Sequence, residues 1–179
     1  PDFFTVEGVE YSAAEIIHAL KPFCTERRQM LIEKMASARS FHFIPVLESV
    51  DDVCNVRAVW RTAENFGVQE VQLIGGEKFE RGKRVSLGAE KWLDIRRFAS
   101  KEECIENLKN RGHQILATSF SPRAIPYDKL DFTRPIALVL CNESVGVSPQ
   151  MMELCEGECF IPTLGFSQSL NISVAAAFF

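Results

Sequence analysis

Leu138-Val139-Leu140-Cys141 is apolar at every position and stops at a polar, glycine-bearing stretch, Asn142-Glu143-Ser144-Val145-Gly146. A strand with one wet face alternates apolar and polar residues. A run without alternation belongs to a strand buried on both faces, as in a parallel sheet covered by helices. Other short runs of strand character are His42 to Leu47, Glu70 to Ile74, His113 to Ser119 and Glu158 to Ile161, with Pro135 to Cys141 enclosing the first one. Stretches of helical spacing lie between them. Residues 54–66 place Val56, Val59, Trp60, Ala63 and Phe66 on one side and end at Gly67. Residues 101–110 form a charged helix closing on Arg111-Gly112, and Pro149 to Leu154 a shorter one behind a Ser148 cap. This alternation predicts an α/β fold, a mostly parallel sheet with helices on both faces. Pro45, which cannot donate to a ladder, weakens the first strand or places it at an edge.

The ends read differently. Residues 12–39 are expected to be helical, with Ser12 and Glu15 at capping-box spacing and Pro22 splitting the stretch in two. They predict an N-terminal helical extension over 1–40, followed by the main domain over 41–179. Ser169 to Phe179 reads as a helix inside which the sequence stops, so a truncated C-terminal helix is expected.

The chain has 179 residues, 46% of them hydrophobic, enough for one domain with a sizeable core. No stretch approaches the roughly 18 apolar residues of a membrane helix. The N-terminus lacks a secretory layout. Six scattered cysteines without a Cys-x-x-Cys pair suggest reduced thiols and a cytoplasmic home, an organellar one being left open by a removable leader. Cys155-x-x-x-Cys159 is at most half a zinc site, and no metal is expected. Net charge is −4, and residues 135–179 hold no Lys or Arg against Glu143, Glu153, Glu156 and Glu158. A surface for a polyanion must therefore lie earlier, the candidate being Lys78, Arg81, Lys83, Arg84, Lys91, Arg96 and Arg97. The competing reading is a solvated face interleaved with Glu77, Glu80, Glu90 and Asp94.

No Gly-x-Gly-x-x-Gly follows the first strand, and there is no phosphate-binding Gly-x-x-x-x-Gly-Lys-Ser/Thr loop. Two polar clusters near the C-terminus instead point to one pocket: the loop after Cys141, and Ile161-Pro162-Thr163-Leu164-Gly165-Phe166-Ser167-Gln168-Ser169-Leu170-Asn171. Open α/β sheets bind ligands in such loops, outside the carboxyl ends of their strands. Far upstream, Asn55 and Arg61 stand six residues apart on one helix and are expected to project towards a common region. Taken singly, Asn55 reads as an N-cap, Arg61 as a partner of Glu64 or a solvated side chain, Ser169-x-Asn171 as a cap and Glu143 as a partner for loop amides.

Taken together, Asn55-x5-Arg61-Thr62-x-x-x-Phe66-Gly67, Asn142-Glu143-x-x-Gly146 and Ile161-Pro162-x-x-Gly165-x3-Ser169-Leu170-Asn171-x-Ser173-Val174-Ala175 resemble the three motifs of the SpoU/TrmH branch of the SPOUT RNA methyltransferases. The resemblance covers residues 20–179 in the family's order. It implies a C-terminal trefoil knot, which periodicity cannot reveal and general topology rules disfavour. It also implies a homodimer, S-adenosyl-L-methionine as donor and methylation of a ribose 2′-hydroxyl of RNA. By motif match, Thr118, Leu140, Asn142, Glu143, Gly146, Ile161 and Leu170 would line the donor pocket. Asn55, Arg61, Glu143, Ser169 and Asn171 would form the catalytic set.

That set suits the chemistry. A 2′-hydroxyl is a poor nucleophile and must share or lose its proton while facing the methyl in line with the departing sulfur. A guanidinium stays protonated in ordinary protein settings, so Arg61 is assigned an electrostatic role on phosphate and developing alkoxide, with direct deprotonation the rival. Asn55, Ser169 and Asn171 would position the reactants. The sulfonium already activates the methyl, so no metal is needed. Lacking a large N-terminal RNA-binding module, the chain looks most like the tRNA guanosine-2′-O-methyltransferases acting at D-loop position 18. RNA would lean on Arg27, Arg28, Arg81, Lys83, Arg84 and Lys91. The alternatives are a ribosomal RNA 2′-O-methyltransferase and a non-catalytic RNA-binding or assembly factor.

Overall fold

The computed structural model describes residues 3–75, 88–141, 145–167 and 169–179. The chain divides into two compact units, Pro1–Arg39 and Ser40–Phe179.

The first unit opens on an antiparallel hairpin, β1 (Phe3–Val6) and β2 (Val9–Ser12). Glu7 and Gly8 join the strands with φ of 49° and 83°. Two successive positive φ angles match the right-handed twist of a tight hairpin. Ser12 then caps α1 (Ala13–Leu20): its Oγ accepts from Glu15 N at 3.2 Å, and Glu15 Oε2 accepts from Ser12 N at 2.8 Å. Pro22 interrupts the helix in a 3-10 turn, and Thr25 caps α2 (Glu26–Ser37). The split and both helices agree with expectation. The hairpin precedes the helical stretch expected over 12–39 and adds two strands to the N-terminal extension.

The second unit is built on β3 (Phe43–Glu48), α3 (Val53–Asn65), β4 (Glu70–Ile74), β5 (Asp94–Phe98), α4 (Lys101–Asn110), β6 (Gln114–Thr118), β7 (Ile125–Pro126), β8 (Ile136–Cys141), α5 (Pro149–Leu154), β9 (Gly157–Phe160) and α6 (Ile172–Ala175). The strands form one sheet in the order β5-β4-β3-β8-β6-β9-β7, with every pairing parallel. The chain steps outwards from β3 through β4 to β5. It then crosses to lay down β6, and β8 later fills the place between β3 and β6.

Both faces are covered, as the unbroken apolar runs require. Ile136, Leu138 and Leu140 of β8 face a core shared with Val56, Val59, Trp60 and Ala63 of α3 and Ile172 of α6. Ala137 and Val139, pointing the other way, join Cys104, Ile105 and Leu108 of α4 and Met151 of α5. Each large side chain buried this way contributes about 1.5–3 kcal/mol.

Three expectations are corrected. Pro45 sits in an interior strand, not at an edge: β3 lies between β4 and β8, and its register with β4 begins only at Val46, one residue beyond the proline. Strand β5 was hidden by its charge, because Asp94, Arg96 and Arg97 are exposed on an edge. The last helix is one turn, Ile172–Ala175, and does not start at Ser169. Beyond it, Ala177 N and Phe178 N bond three residues back, to Val174 O and Ala175 O. Phe178 and Phe179 then pack edge-on against Tyr127, and Phe179 stacks on Phe43 with centroids 6.5 Å apart.

Candidate active site

At the carboxyl ends of β6, β8 and β9 the second unit encloses a cavity of about 310 Å³. Three separated stretches build it. Thr118 closes β6, and its Oγ1 donates to Val139 O at 3.0 Å, fixing the end of β6 against β8. Leu140 is 2% exposed and presents an apolar wall from β8, and Gly146, at φ 75°, lines the same cavity. Ile161, Ser169 and Leu170 come from the sequence between β9 and α6. All of the cavity residues expected from the motifs that fall within the described structure therefore line one space. Asn142 and Glu143 lie outside the described residues.

Further wall residues escaped the sequence reading: Ser119, Phe120, Val147, Met152, Phe160 and Thr163. Apart from Met152, which lies within α5, their signal was position close to a strand end or a motif residue. The 119–126 loop is held by Glu158 of β9, which accepts from Arg123 Nη2 at 2.8 Å and from Ser121 Oγ. The Ser121 hydrogen bond leads the effects that hold the Glu158 carboxyl below its ordinary pKa. Cys159 is fully buried in the same strand, and burial pushes its thiol up to about 12.

Beside the cavity, Asn171 Nδ2 donates to Asn55 Oδ1 at 2.9 Å. The Asn171 Oδ1 accepts from Ser173 N at 2.9 Å and Ser173 Oγ at 2.6 Å, capping α6. Asn55 is not the cap of its own helix; Asp52 is, accepting from Cys54 N at 2.7 Å. Arg61 does not join this pair. Six residues turn a helix so that Arg61 stands about 120° round the axis from Asn55. Its side chain is exposed and does not line the cavity of its own chain.

Of the expected RNA contacts, Arg27 and Arg28 are exposed on α2, and Lys91 is exposed in the 3-10 turn Ala89–Lys91. Arg81, Lys83 and Arg84 lie outside the described residues, as does Lys78. Arg96 is committed in part to Glu70, 3.5 Å away. A second cavity, about 360 Å³, opens at the other end of the strands between Phe43, Val59, Phe66 and Phe179, and holds none of the expected cofactor residues. Among the described residues no cluster of His, Cys, Asp and Glu could hold a metal ion.

A parallel α/β sheet with a cavity at the carboxyl ends of its strands belongs to the class of α/β domains that bind small ligands there. The sequence profile of the SpoU rRNA Methylase family matches residues 42–179, and the chain belongs to that family. Curated relatives include the tRNA (guanosine(18)-2′-O)-methyltransferases of Borreliella burgdorferi and Thermus thermophilus. The first is 32% identical over 90% of this chain and 74% of its own length, the second 35% identical over 86% and 79%. The Escherichia coli enzyme of the same name is 31% identical over 84% of this chain and 66% of its own. Among solved structures, the A. aeolicus TrmH/SpoU tRNA modifying enzyme superposes with a TM-score of 0.75 at 30% identity, over 84% of this chain and 79% of that one. An AdoMet-bound rRNA methyltransferase from Sinorhizobium meliloti gives 0.69 at 26% identity, over 76% and 53%.

Proposed function

We propose that the chain transfers a methyl group from S-adenosyl-L-methionine to the ribose 2′-hydroxyl of guanosine 18 in tRNA. The observation that carries this reading is the meeting of Thr118, Leu140, Gly146, Ile161, Ser169 and Leu170 in one cavity. The walls suit the donor. Leu140, Ile161 and Leu170 offer apolar surface to a purine, Thr118 and Ser169 offer hydroxyls, and no described wall residue is basic, so nothing there repels a sulfonium. The volume falls within the usual range for small-ligand sites, about 300–1,000 Å³. The relatives acting at guanosine 18 favour tRNA over ribosomal RNA.

When bound, S-adenosyl-L-methionine supplies a methyl on a positively charged sulfur, already activated for displacement. The chain's own residues must bring the 2′-oxygen into line and stabilise its developing charge. Asn55 and Asn171, locked to one another, present fixed dipoles beside the cavity, and Ser169 lies on its wall. Glu143 is assigned to the loop after β8, as an anchor for that loop or for Arg61. Arg61 holds the phosphate next to the target and stabilises the alkoxide.

Because Arg61 is exposed and does not line the cavity of its own chain, the reading includes a homodimer in which Arg61 of the partner subunit completes the site. It also includes a trefoil knot, supported by the return of Ile161, Thr163, Ser169 and Leu170 to walls made by residues 118–120, Leu140, Cys141, Gly146 and Val147. Arg27, Arg28, Arg81, Lys83, Arg84 and Lys91 are proposed as phosphate contacts. The six free thiols accord with work in the cytoplasm.

Methyl transfer to total tRNA and to ribosomal RNA, with the modified nucleotide mapped and donor binding measured alongside, tests the reading. Label at guanosine 18 supports it. Label confined to ribosomal RNA, or donor binding without transfer to any transcript, overturns it in favour of a ribosomal RNA enzyme or a non-catalytic factor. Arg61→Ala is expected to abolish transfer while donor binding survives.

A further inference from the structure

Glu48 ends β3, in register with Ile74 at the end of β4 and Cys141 at the end of β8. It is 3% exposed. A buried carboxylate requires partners, and Glu48 draws them from two distant parts of the chain. Ser148, the cap of α5, donates its amide to Oε2 at 3.0 Å and its hydroxyl to Oε1 at 2.5 Å. Lys101, the first residue of α4, places Nζ 2.8 Å from Oε1 and donates to Ser148 Oγ at 2.6 Å. Ser148 Oγ also accepts from Met151 N at 3.2 Å. Its one donor and both acceptor sites are thus in use. Burial pushes the Glu48 carboxyl up, but the hydrogen bonds from Lys101 and Ser148 and the nearby ammonium outweigh it, so the group stays ionised below its ordinary pKa.

None of the three side chains lines the cavity, whereas Gly146 and Val147, immediately before Ser148, do. We propose that Glu48, Lys101 and Ser148 form a positioning clamp that sets the Gly146–Val147 wall for the methyl donor without touching it. The inference rests on the methyltransferase reading above. A wall held at Ser148 is ordered before the ligand arrives, whereas a released one must be ordered during binding, at the expense of affinity. Gly146 makes the anchor matter: its φ of 75° leaves the loop free to turn elsewhere when released.

A purely structural buried carboxylate exists in the same sheet for comparison. Glu70, 1% exposed at the start of β4, pairs with Arg111 Nη1 at 2.7 Å and does not line the cavity. The test uses the full chain, titrated with S-adenosyl-L-methionine by calorimetry and assayed on tRNA. Ser148→Ala and Glu48→Gln are expected to raise the donor Kd and KM roughly tenfold, the scale of one lost charge-assisted hydrogen bond. Turnover at saturating donor should stay within about twofold, because the clamp acts on ligand binding and not on transfer. Ser148→Thr, which keeps the hydroxyl, should restore affinity. Glu70→Gln should lower Tm while leaving donor Kd unchanged. The clamp is overturned if both clamp variants bind donor as the wild type does, if Ser148→Thr is as weak as Ser148→Ala, or if Glu70→Gln weakens binding equally. A wild-type chain that binds no donor overturns the methyltransferase reading and the clamp with it.

Discussion

Asn171 Nδ2 and Asn55 Oδ1, 2.9 Å apart, join the cap of the last helix to the first turn of α3 across most of the second unit. The Asn171 amide therefore has two separable duties. Its oxygen caps α6, and its nitrogen holds Asn55. Asn171→Asp keeps the acceptor and loses the donor. It should melt close to the wild type and transfer methyl at least tenfold more slowly, the scale on which misplacing a positioning group slows a reaction. Asn171→Ala should lose the cap as well, for about 1 kcal/mol of stability. Thermal melts beside initial rates separate the two effects.

Arg61 is exposed and does not line its own cavity, and the proposed homodimer predicts trans complementation. Arg61→Ala and Asn171→Ala homodimers should each be nearly inactive. After subunit exchange, half the dimers are mixed and each holds one site carrying neither change. Activity should return to about a quarter of the wild-type value for a two-fold symmetric dimer. No recovery in an exchanged mixture would place Arg61 in its own subunit's chemistry or outside catalysis.

Gly146 adopts φ of 75°, and a Cβ there would meet nothing within 4 Å. The penalty for Gly146→Ala is therefore backbone strain without a clash, about 1–2 kcal/mol. Much of it can be relieved by moving the loop. The expected result is a small drop in Tm and a large loss of donor affinity, read by calorimetry.

Glu48 predicts a pH dependence of stability. Its folded pKa lies below the ordinary 4.5. A depressed carboxylate contributes stability that is fully present above the unfolded pKa and is lost as pH falls through the folded one. Urea unfolding of wild type and Glu48→Gln should differ most near neutral pH, and the gap should narrow as pH falls below the ordinary carboxylate value and through the lower folded one. A gap independent of pH would mean that the charge of Glu48 contributes nothing to the fold.

Burial pushes the thiols of Cys104, Cys155 and Cys159 up to about 12. They carry almost no thiolate at pH 8, and alkylation requires the thiolate. Iodoacetamide should modify the exposed Cys54 in the native protein and reach Cys104 and Cys159 only after unfolding, as peptide mass spectrometry would report.

What the sequence announced was local. The Ser12–Glu15 box, the Ser148-Pro149 start and the span of α4 were readable because caps act over three residues. The unbroken apolar run of β8 predicted burial on both faces, and the two cores bear it out. Edge strand β5 was not readable, because Asp94, Arg96 and Arg97 face water and only pairing with β4 makes them a strand. The interior place of Pro45 depended on where another strand's register begins. The site divides the same way. Its cavity residues could be named from the family resemblance, but helical spacing alone did not place Arg61, which stands well round the axis from Asn55. Glu48 and Ser148 gave no sign of each other, because a hundred positions of sequence separate the two.

The pairing of Phe43 with Ile136 sets a timetable for synthesis. Strand β4 can reach β3 soon after it emerges, but the other edge of β3 waits for a partner more than ninety residues downstream. At ribosomal speeds of about 5–20 residues per second, that bare edge persists for roughly 5–20 s. The nascent chain is then open to mispairing with its neighbours on the same messenger, and a chaperone that shields exposed strand edges would raise the yield of native enzyme.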